Sequence, residues 1–254
     1  MLHETRPPKM HIRRQFLNRL DPDPQAHEVV VVIDVLRSFS TAAYAFAAGA
    51  RAIYPVETIA EALHLQQMLP LSVTTGAIAG GDPVPGFNFG NSPSSLADYD
   101  LSSRDVIQTT AAGVRGLCRF THAGAVFAGS LVCAKATAAA IFKLGASDIM
   151  LLITGEWIDR DGDEDVACAD YLEALLHGDS PAPRAFETRV RASDFGRRFA
   201  AGKNPSLPAA DLDLCAKADR FNFAMSAFRE NERLVLLPDY LRREGGQEAN
   251  GHEQ

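Results

Sequence analysis

The sequence predicts a three-layer α/β/α protein with a mostly parallel central sheet, and three observations carry that prediction. Residues 29–33 (Val-Val-Val-Val-Ile) are five β-branched residues in a row, the composition of a strand buried on both faces rather than one that alternates inward and outward. Short apolar runs of the same kind recur at 52–56, 71–75, 105–109, 125–128 and 148–154, with helix-start and helix-stop residues between them. These runs end in small, hydroxyl or acidic residues, as suits strands that deliver loops to a ligand crevice at their carboxyl ends.

A chain of 254 residues that is 46% hydrophobic can bury a sizeable core. The net charge is −7 and the 25 Lys and Arg are scattered, which argues against a nucleic-acid partner. The start, Met1-Leu-His-Glu-Thr-Arg6-Pro-Pro, lacks the apolar segment of a signal peptide, and no run approaches ~18 apolar residues, so a cytoplasmic protein with no membrane partner is expected. Cys118, Cys133, Cys168 and Cys215 form no C-x-x-C pair and read as reduced core thiols. The seven histidines show neither H-x-H nor H-E-x-x-H. Self-association is left open.

Residues 1–9, with Pro7-Pro8, are expected to be flexible, and 243–254 to be a disordered polar tail. Between them, 10–242 are expected to form one domain. Residues 10–17 read as an edge-like strand and Asp21-Pro-Asp-Pro24 as a turn. After strand 29–33 come Asp34, Arg37 and the N-cap types Ser38, Ser40 and Thr41, then an Ala-rich helix over 40–48 stopped by Gly49. In strand 52–56, Pro55 marks an edge position or a strand end. Thr58-Ile-Ala-Glu61 has capping-box spacing and opens a helix whose apolar stripe is Ile59, Leu63 and Met68, ended by Pro70.

The rhythm breaks over Gly76 to Pro93, a Gly- and Pro-rich stretch long enough to be functional, in which Phe87 and Phe89 favour order. It resumes with strand 105–109, helix 110–120, strand 125–128, helix 130–144 with Gly145 as its cap, and strand 148–154. A helix over 166–176 follows, with acids 163–165 in its first turn, where the helix dipole stabilises carboxylates. Residues 187–201 and 209–228 read as helical, and 232–238 as a last strand.

The right-handed crossover rule puts the strand-end loops on one side of a mostly parallel sheet. A shared cleft there would hold Asp34, Arg37, Ser40, Thr41, Asn91, Ser92, Thr109, Thr110, Ser130, Glu164 and Asp165. Mg²⁺ needs only one or two carboxylates beside its waters, so Asp34 with Glu164 or Asp165 suffices, while Arg37 and helix N-termini suit a phosphate. The plainer alternatives are an ion pair at Asp34 and Arg37, and helix capping by Glu164 and Asp165. The alternating acids of 159–165 also resemble a calcium loop, but the glycine falls at position 4 and position 12 is Asp170. Gly76 to Gly81 matches neither G-x-G-x-x-G nor a Walker A loop, and no Ser has the G-x-S-x-G context of a serine hydrolase.

Taken together, Ile33-Asp34-Val35-Leu36-Arg37 with Ser40-Thr41, Gly86-Phe87-Asn88-Phe89-Gly90-Asn91-Ser92-Pro93, Thr109-Thr110 with Gly113, Gly129-Ser130, and Glu164-Asp165 with Cys168-Ala169 resemble the 2-phosphosulfolactate phosphatase family. The resemblance implies a three-layer α/β fold and Mg²⁺-dependent hydrolysis of the phosphate ester of a small sulfonated hydroxy acid, a step of coenzyme M synthesis. It implies a metal site at Asp34, Glu164 and Asp165, a phosphate or sulfonate clamp at Arg37, and substrate contacts at Ser40, Thr41, Asn91, Ser92, Thr110 and Ser130. The metal would polarise the phosphoryl oxygens and activate water, so no protein nucleophile is required. The chain departs from the family pattern at Gly76-Ala77-Ile78-Ala79, at Ala111-Ala112 and at Cys133, where charged or amide residues are expected. These departures leave an alternative function, a family member that binds an anionic metabolite without turning it over.

Overall fold

All five side chains of Val29–Ile33 are buried, and they alternate between two separate cores: Val29, Val31 and Ile33 enter one, Val30 and Val32 the other. A strand with both faces covered requires a layer of helices on each side, which is the three-layer arrangement expected. The computed structural model describes residues 10–20, 27–78, 80–120 and 122–242. The expected flexible start (1–9), the turn at 21–24 and the tail (243–254) lie outside the described residues.

In chain order the elements are β1 (His11–Phe16), β2 (Val29–Ile33), α1 (Ser38–Ala47), β3 (Ala52–Pro55), α2 (Ile59–Met68), β4 (Ser72–Gly76), β5 (Phe89–Gly90), α3 (Pro93–Leu96) and β6 (Asp105–Thr109). There follow α4 (Gly113–Arg119), β7 (Ala125–Gly129), α5 (Ala134–Leu144), β8 (Asp148–Ile153), β9 (Glu156–Trp157), β10 (Arg160–Asp161) and α6 (Asp163–Leu176). The chain ends with α7 (Pro183–Ala192), α8 (Asp194–Ala200), α9 (Ala209–Cys215), β11 (Met225–Glu230), β12 (Arg233–Pro238) and α10 (Asp239–Arg242).

Ten strands form one sheet in the order β1-β8-β2-β7-β11-β12-β3-β6-β4-β5. Parallel pairing prevails within β1-β8-β2-β7 and within β3-β6-β4-β5. Between these halves, β11 and β12 are inserted with antiparallel pairings to β7, to each other and to β3. An odd number of antiparallel steps reverses the strand sense, so the two parallel halves run oppositely. The expectation that every strand-end loop lies on one side of the sheet therefore does not hold in its simple form. The loops after β2 and β6 nevertheless meet, because Gly113 N–H reaches Asp34. The Ser38 hydroxyl, donating to Thr110, makes a second contact between the same two loops.

Several local expectations need correction. The apolar stripe of α2 faces outward: Ile59, Leu63 and Met68 are exposed, while Ala62 and Leu65 are buried against Ile107. The Thr58–Glu61 capping box forms as expected and fixes where the helix starts. Of the two alternatives for Pro55, the strand end holds: it is the last residue of β3, an interior strand. Residues 187–201 contain a break at Ser193, whose hydroxyl accepts from Gly196 N–H and caps α8.

Helix α9 stops at Cys215, and 225–230 are a strand, not helix. Met225, Ser226 and Ala227 pair with β7, and this tertiary pairing overrides helical composition. In the connecting segment Asp219 takes a positive φ of 53°. Its carboxylate accepts from Lys135 N–H at 2.8 Å and from the buried Tyr171 hydroxyl at 2.6 Å, tying the segment to α5 and α6. Replacing Asp219 by Ala would leave the Tyr171 hydroxyl without its partner. Asp219→Ala is expected to lower unfolding free energy by about 1–3 kcal/mol in urea titrations, and Asp219→Asn by less, since Asn keeps an acceptor and tolerates the backbone conformation.

Candidate active site

Asp34 stands where β2 leaves the sheet. Its Oδ1 accepts from Ser38 N–H at 3.0 Å and its Oδ2 from Gly113 N–H at 3.1 Å. One carboxylate thus receives the first residues of both α1 and α4, and two helix N-termini favour its negative charge. The contact is close enough that a Cβ on Gly113 would lie 2.9 Å from Asp34 Oδ2 and 2.9 Å from Ser38 Cβ, so glycine is required there. Ser38 Oγ donates to Thr110 Oγ1 at 2.8 Å, a second bond between the loops after β2 and β6.

Two further acids lie behind Asp34. Asp165 is buried, with Oδ1 accepting from Val35 N–H at 2.8 Å and Oδ2 from Gly155 N–H at 2.7 Å and Thr154 N–H at 3.2 Å. It joins the loops after β2 and β8. Burial, together with Asp34 and Glu164 as like-charged neighbours, pushes its carboxyl well above the usual carboxylate range. Glu164 is only 1% exposed, and neither of its carboxylate oxygens makes a well-formed hydrogen bond, although its own backbone N–H and the Ser193 hydroxyl lie close enough to favour its charged form. Burial raises its pKa to about 7, with Asp34 adding repulsion and the Arg160 charge opposing the rise. Ideal Cβ placement at Gly155 falls 2.9 Å from Glu164 Oε1 and 3.0 Å from Asp165 Oδ2, so these two acids converge on one glycine.

Arg37 does not pair with Asp34. Its Nη1 donates to Asp211 Oδ2 at 2.7 Å and its Nη2 to Gly81 O at 3.1 Å, and its guanidinium lies over the Phe199 ring at 5.1 Å. Asp211 is fully buried, and its other oxygen accepts from Ser92 Oγ (2.8 Å), Ser94 Oγ (2.6 Å) and Ser94 N–H (3.0 Å). The 91–94 loop is therefore held through Asp211 against Arg37. The ordering expected of this loop is also visible at Phe87, packed on the small Ile107 core, and at Phe89, edge-on to Tyr99.

These elements border a cleft of about 800 Å³. Of the expected site residues, Asp34, Arg37, Asn91 and Thr110 line it. Asn91 is buried with its Oδ1 unpartnered, an acceptor available to a ligand. Ser92 is turned to Asp211. Ser40 and Ser130 are fully buried and bond each other at 2.7 Å, and Thr41 is buried with Oγ1 unpartnered; none of the three lines the cleft. Glu164 and Asp165 sit behind its wall. The departures Ala77, Ile78, Ala111 and Ala112 all line the cleft, giving it an apolar side. The calcium-loop arrangement does not form, because Asp159 pairs with Arg198 and Asp163 with Arg189.

Sequence reading singled out neither Asp211 nor Arg160, and Arg160 lines the cleft. Asp211 falls in the first turn of a helix, where an acid is explained by the dipole alone, and only the partner contacts distinguish it.

Among the described residues no three His, Cys, Asp or Glu side chains are grouped as a preformed metal cage. Magnesium does not need one, since it is held by one or two carboxylates with water and phosphate oxygens completing its shell. The unpartnered oxygens of Glu164 and the cleft-lining carboxylate of Asp34 fit that donor set.

An α/β scaffold that brings an aspartate and an arginine to one cleft is suited to an enzyme acting on a phosphate ester. Residues 16–227 match the model of the 2-phosphosulpholactate phosphatase family, and the chain belongs to that family. It is 40% identical over 227 residues to a Carboxydothermus hydrogenoformans protein named "probable 2-phosphosulfolactate phosphatase", covering 82% of this chain and 90% of that one. It is 32% identical over 207 residues to a Bacillus subtilis protein of the same name, covering 81% and 89%. A Thermoplasma acidophilum protein so named is 28% identical over 212 residues, covering 84% and 90%.

Two outcomes follow from these contacts. Asp211→Ala leaves Arg37 buried and unpaired, and is expected to cost about 3–5 kcal/mol in chemical denaturation. For Glu164, a folded-state pKa of about 7 against an ordinary 4.5 means that the folded chain binds the proton more tightly. Stability of chelator-treated protein should then fall as pH rises between those values and remain low above them. Glu164→Gln should flatten that fall and raise the melting temperature at pH 8 by at least about 3 °C, while the raised Asp165 carboxyl leaves a residual slope of the same sign.

Proposed function

We propose that this chain hydrolyses the phosphate monoester of a small sulfonated hydroxy acid, 2-phosphosulfolactate, with Mg²⁺ as cofactor. The observation that carries this reading is Asp34, a cleft-lining carboxylate fixed by two helix N-termini in front of a second, buried carboxylate whose oxygens are both unpartnered. The names of the family and of its relatives supply the substrate. Asp34 and Glu164 would hold the metal, which supplies charge neutralisation at the phosphoryl oxygens and a more acidic bound water. Asp165, engaged by three backbone N–H groups, positions the loops after β2 and β8 and is at most an indirect support of that site.

Arg37 presents its guanidinium at the cleft in an orientation set by Asp211 and Gly81, and neutralises charge on the transferring phosphoryl group. Asn91 Oδ1 and the Thr110 hydroxyl orient the substrate or the attacking water. The apolar wall of Ala77, Ile78, Ala111 and Ala112 limits the water that competes for these groups. The four unpaired cysteines fit a reducing, cytoplasmic setting, and no helix among the described residues is long and apolar enough to cross a membrane.

The test is phosphate release from 2-phosphosulfolactate with Mg²⁺, after EDTA, and after Mg²⁺ is restored. Release should disappear on chelation and return with the metal, and Asp34→Asn should lower kcat by about 10²–10³-fold. Absence of metal-dependent release above background would sink the proposal.

A further inference from the structure

The five basic side chains lining the cleft are not equivalent. Arg37 is paired with Asp211, Arg197 with Asp194, and Arg198 with Asp159. Among the described residues Arg160 and Lys203 have no carboxylate within ion-pair distance, although Asp159 and Glu164 are near enough to feel the Arg160 charge. Lys203 is exposed. Arg160 is held: its guanidinium carbon lies 4.3 Å from the centroid of the Phe195 ring, and Phe195 is itself buried. It belongs to the short β9–β10 hairpin, where it pairs with Trp157. That hairpin is tied to α8 through Arg198 and Asp159, and to the segment after β1 through Arg19 and Glu156.

Stacking occupies the face of a guanidinium and leaves its N–H donors, which lie in the plane, for other partners. The Arg160 Nε is buried and has no acceptor. A pre-oriented cation with an unsatisfied donor, on the wall of a cleft far larger than one phosphoryl group, is a site for an oxoanion. The proposed function already gives the phosphate Arg37, Thr110 and a metal at Asp34.

We infer that Arg160 anchors a second, strongly acidic group of the substrate and is a specificity-determining residue of this cleft. The inference rests on the phosphomonoester reading above. Its ligand chemistry is a sulfonate carried on the same small ester, which a planar fork of donors can bind through two oxygens.

The test compares 2-phosphosulfolactate with 2-phospholactate, which lacks only the sulfonate, in the wild-type protein and in Arg160→Met and Arg160→Lys. Arg160→Met is expected to raise KM for the sulfonated ester by roughly tenfold or more beyond its effect on 2-phospholactate, while any change transmitted through Glu164 falls on both esters alike. Arg160→Lys should recover part of the loss. Equal loss on both esters would assign Arg160 to the phosphate or to support of Glu164, and no loss on either would leave it no substrate role; each overturns the inference.

Calorimetric binding of 3-sulfolactate and of lactate separates this inference from the phosphatase reading, because it needs no turnover. Binding of 3-sulfolactate by the wild-type protein that is lost in Arg160→Met supports the sulfonate site even if neither ester is hydrolysed. Absent or Arg160-independent binding refutes it, whatever the phosphate assay shows.

Discussion

The bond pair from Asp34 to the first residues of α1 and α4 is the contact on which the arrangement of the site depends. Each helix follows a strand from a different half of the sheet, and the halves run in opposite senses. A carboxylate answers both sets of free N–H groups with a separate oxygen for each. The carboxylate therefore has a structural task before any chemistry is considered, and that task leaves it facing the cleft. Binding and architecture converge on the same atoms.

Charge is distributed unevenly around it. The arginines at the cleft are mostly spent on internal partners, whereas the acids behind Asp34 are crowded and short of positive neighbours. Asp165 is compensated by three backbone donors, whereas Glu164 has only its own backbone N–H, the Ser193 hydroxyl and the Arg160 charge to oppose its burial. Burying such a group is unfavourable unless something else completes it, and proteins retain unfavourable burial mainly where a ligand or ion resolves it. Asp211 shows the opposite solution: a buried acid saturated by Arg37 and two serines, which fixes the orientation of its neighbours.

Much of this was legible beforehand, for identifiable reasons. Val29–Ile33 declares a doubly buried strand because composition alone distinguishes it from an alternating one, and Thr58–Glu61 declares a helix start because capping is a local interaction. The acid, arginine and hydroxyl residues at strand ends were visible as candidates for the same reason. What could not be read was whatever depends on partners remote in sequence. Met225–Glu230 joins the sheet because β7 and β12 need a strand between them. Asp211 matters through Arg37, 174 positions away. The three outward-facing positions Ile59, Leu63 and Met68 form an apolar stripe that the tertiary structure does not use.

The β11–β12 pair has a mechanical meaning beyond its place in the strand order. It is the spacer between two oppositely directed half-sheets, so its width and twist set the angle at which the halves present their loops to each other. A bulge or a lost residue there would shift the pairing register and bend the hairpin locally, displacing one half against the other. The separation of Asp34 from Thr110 and Gly113 would change although nothing near them had been altered. The cleft is in this sense a seam, and its geometry is gauged by a hairpin that supplies none of its walls.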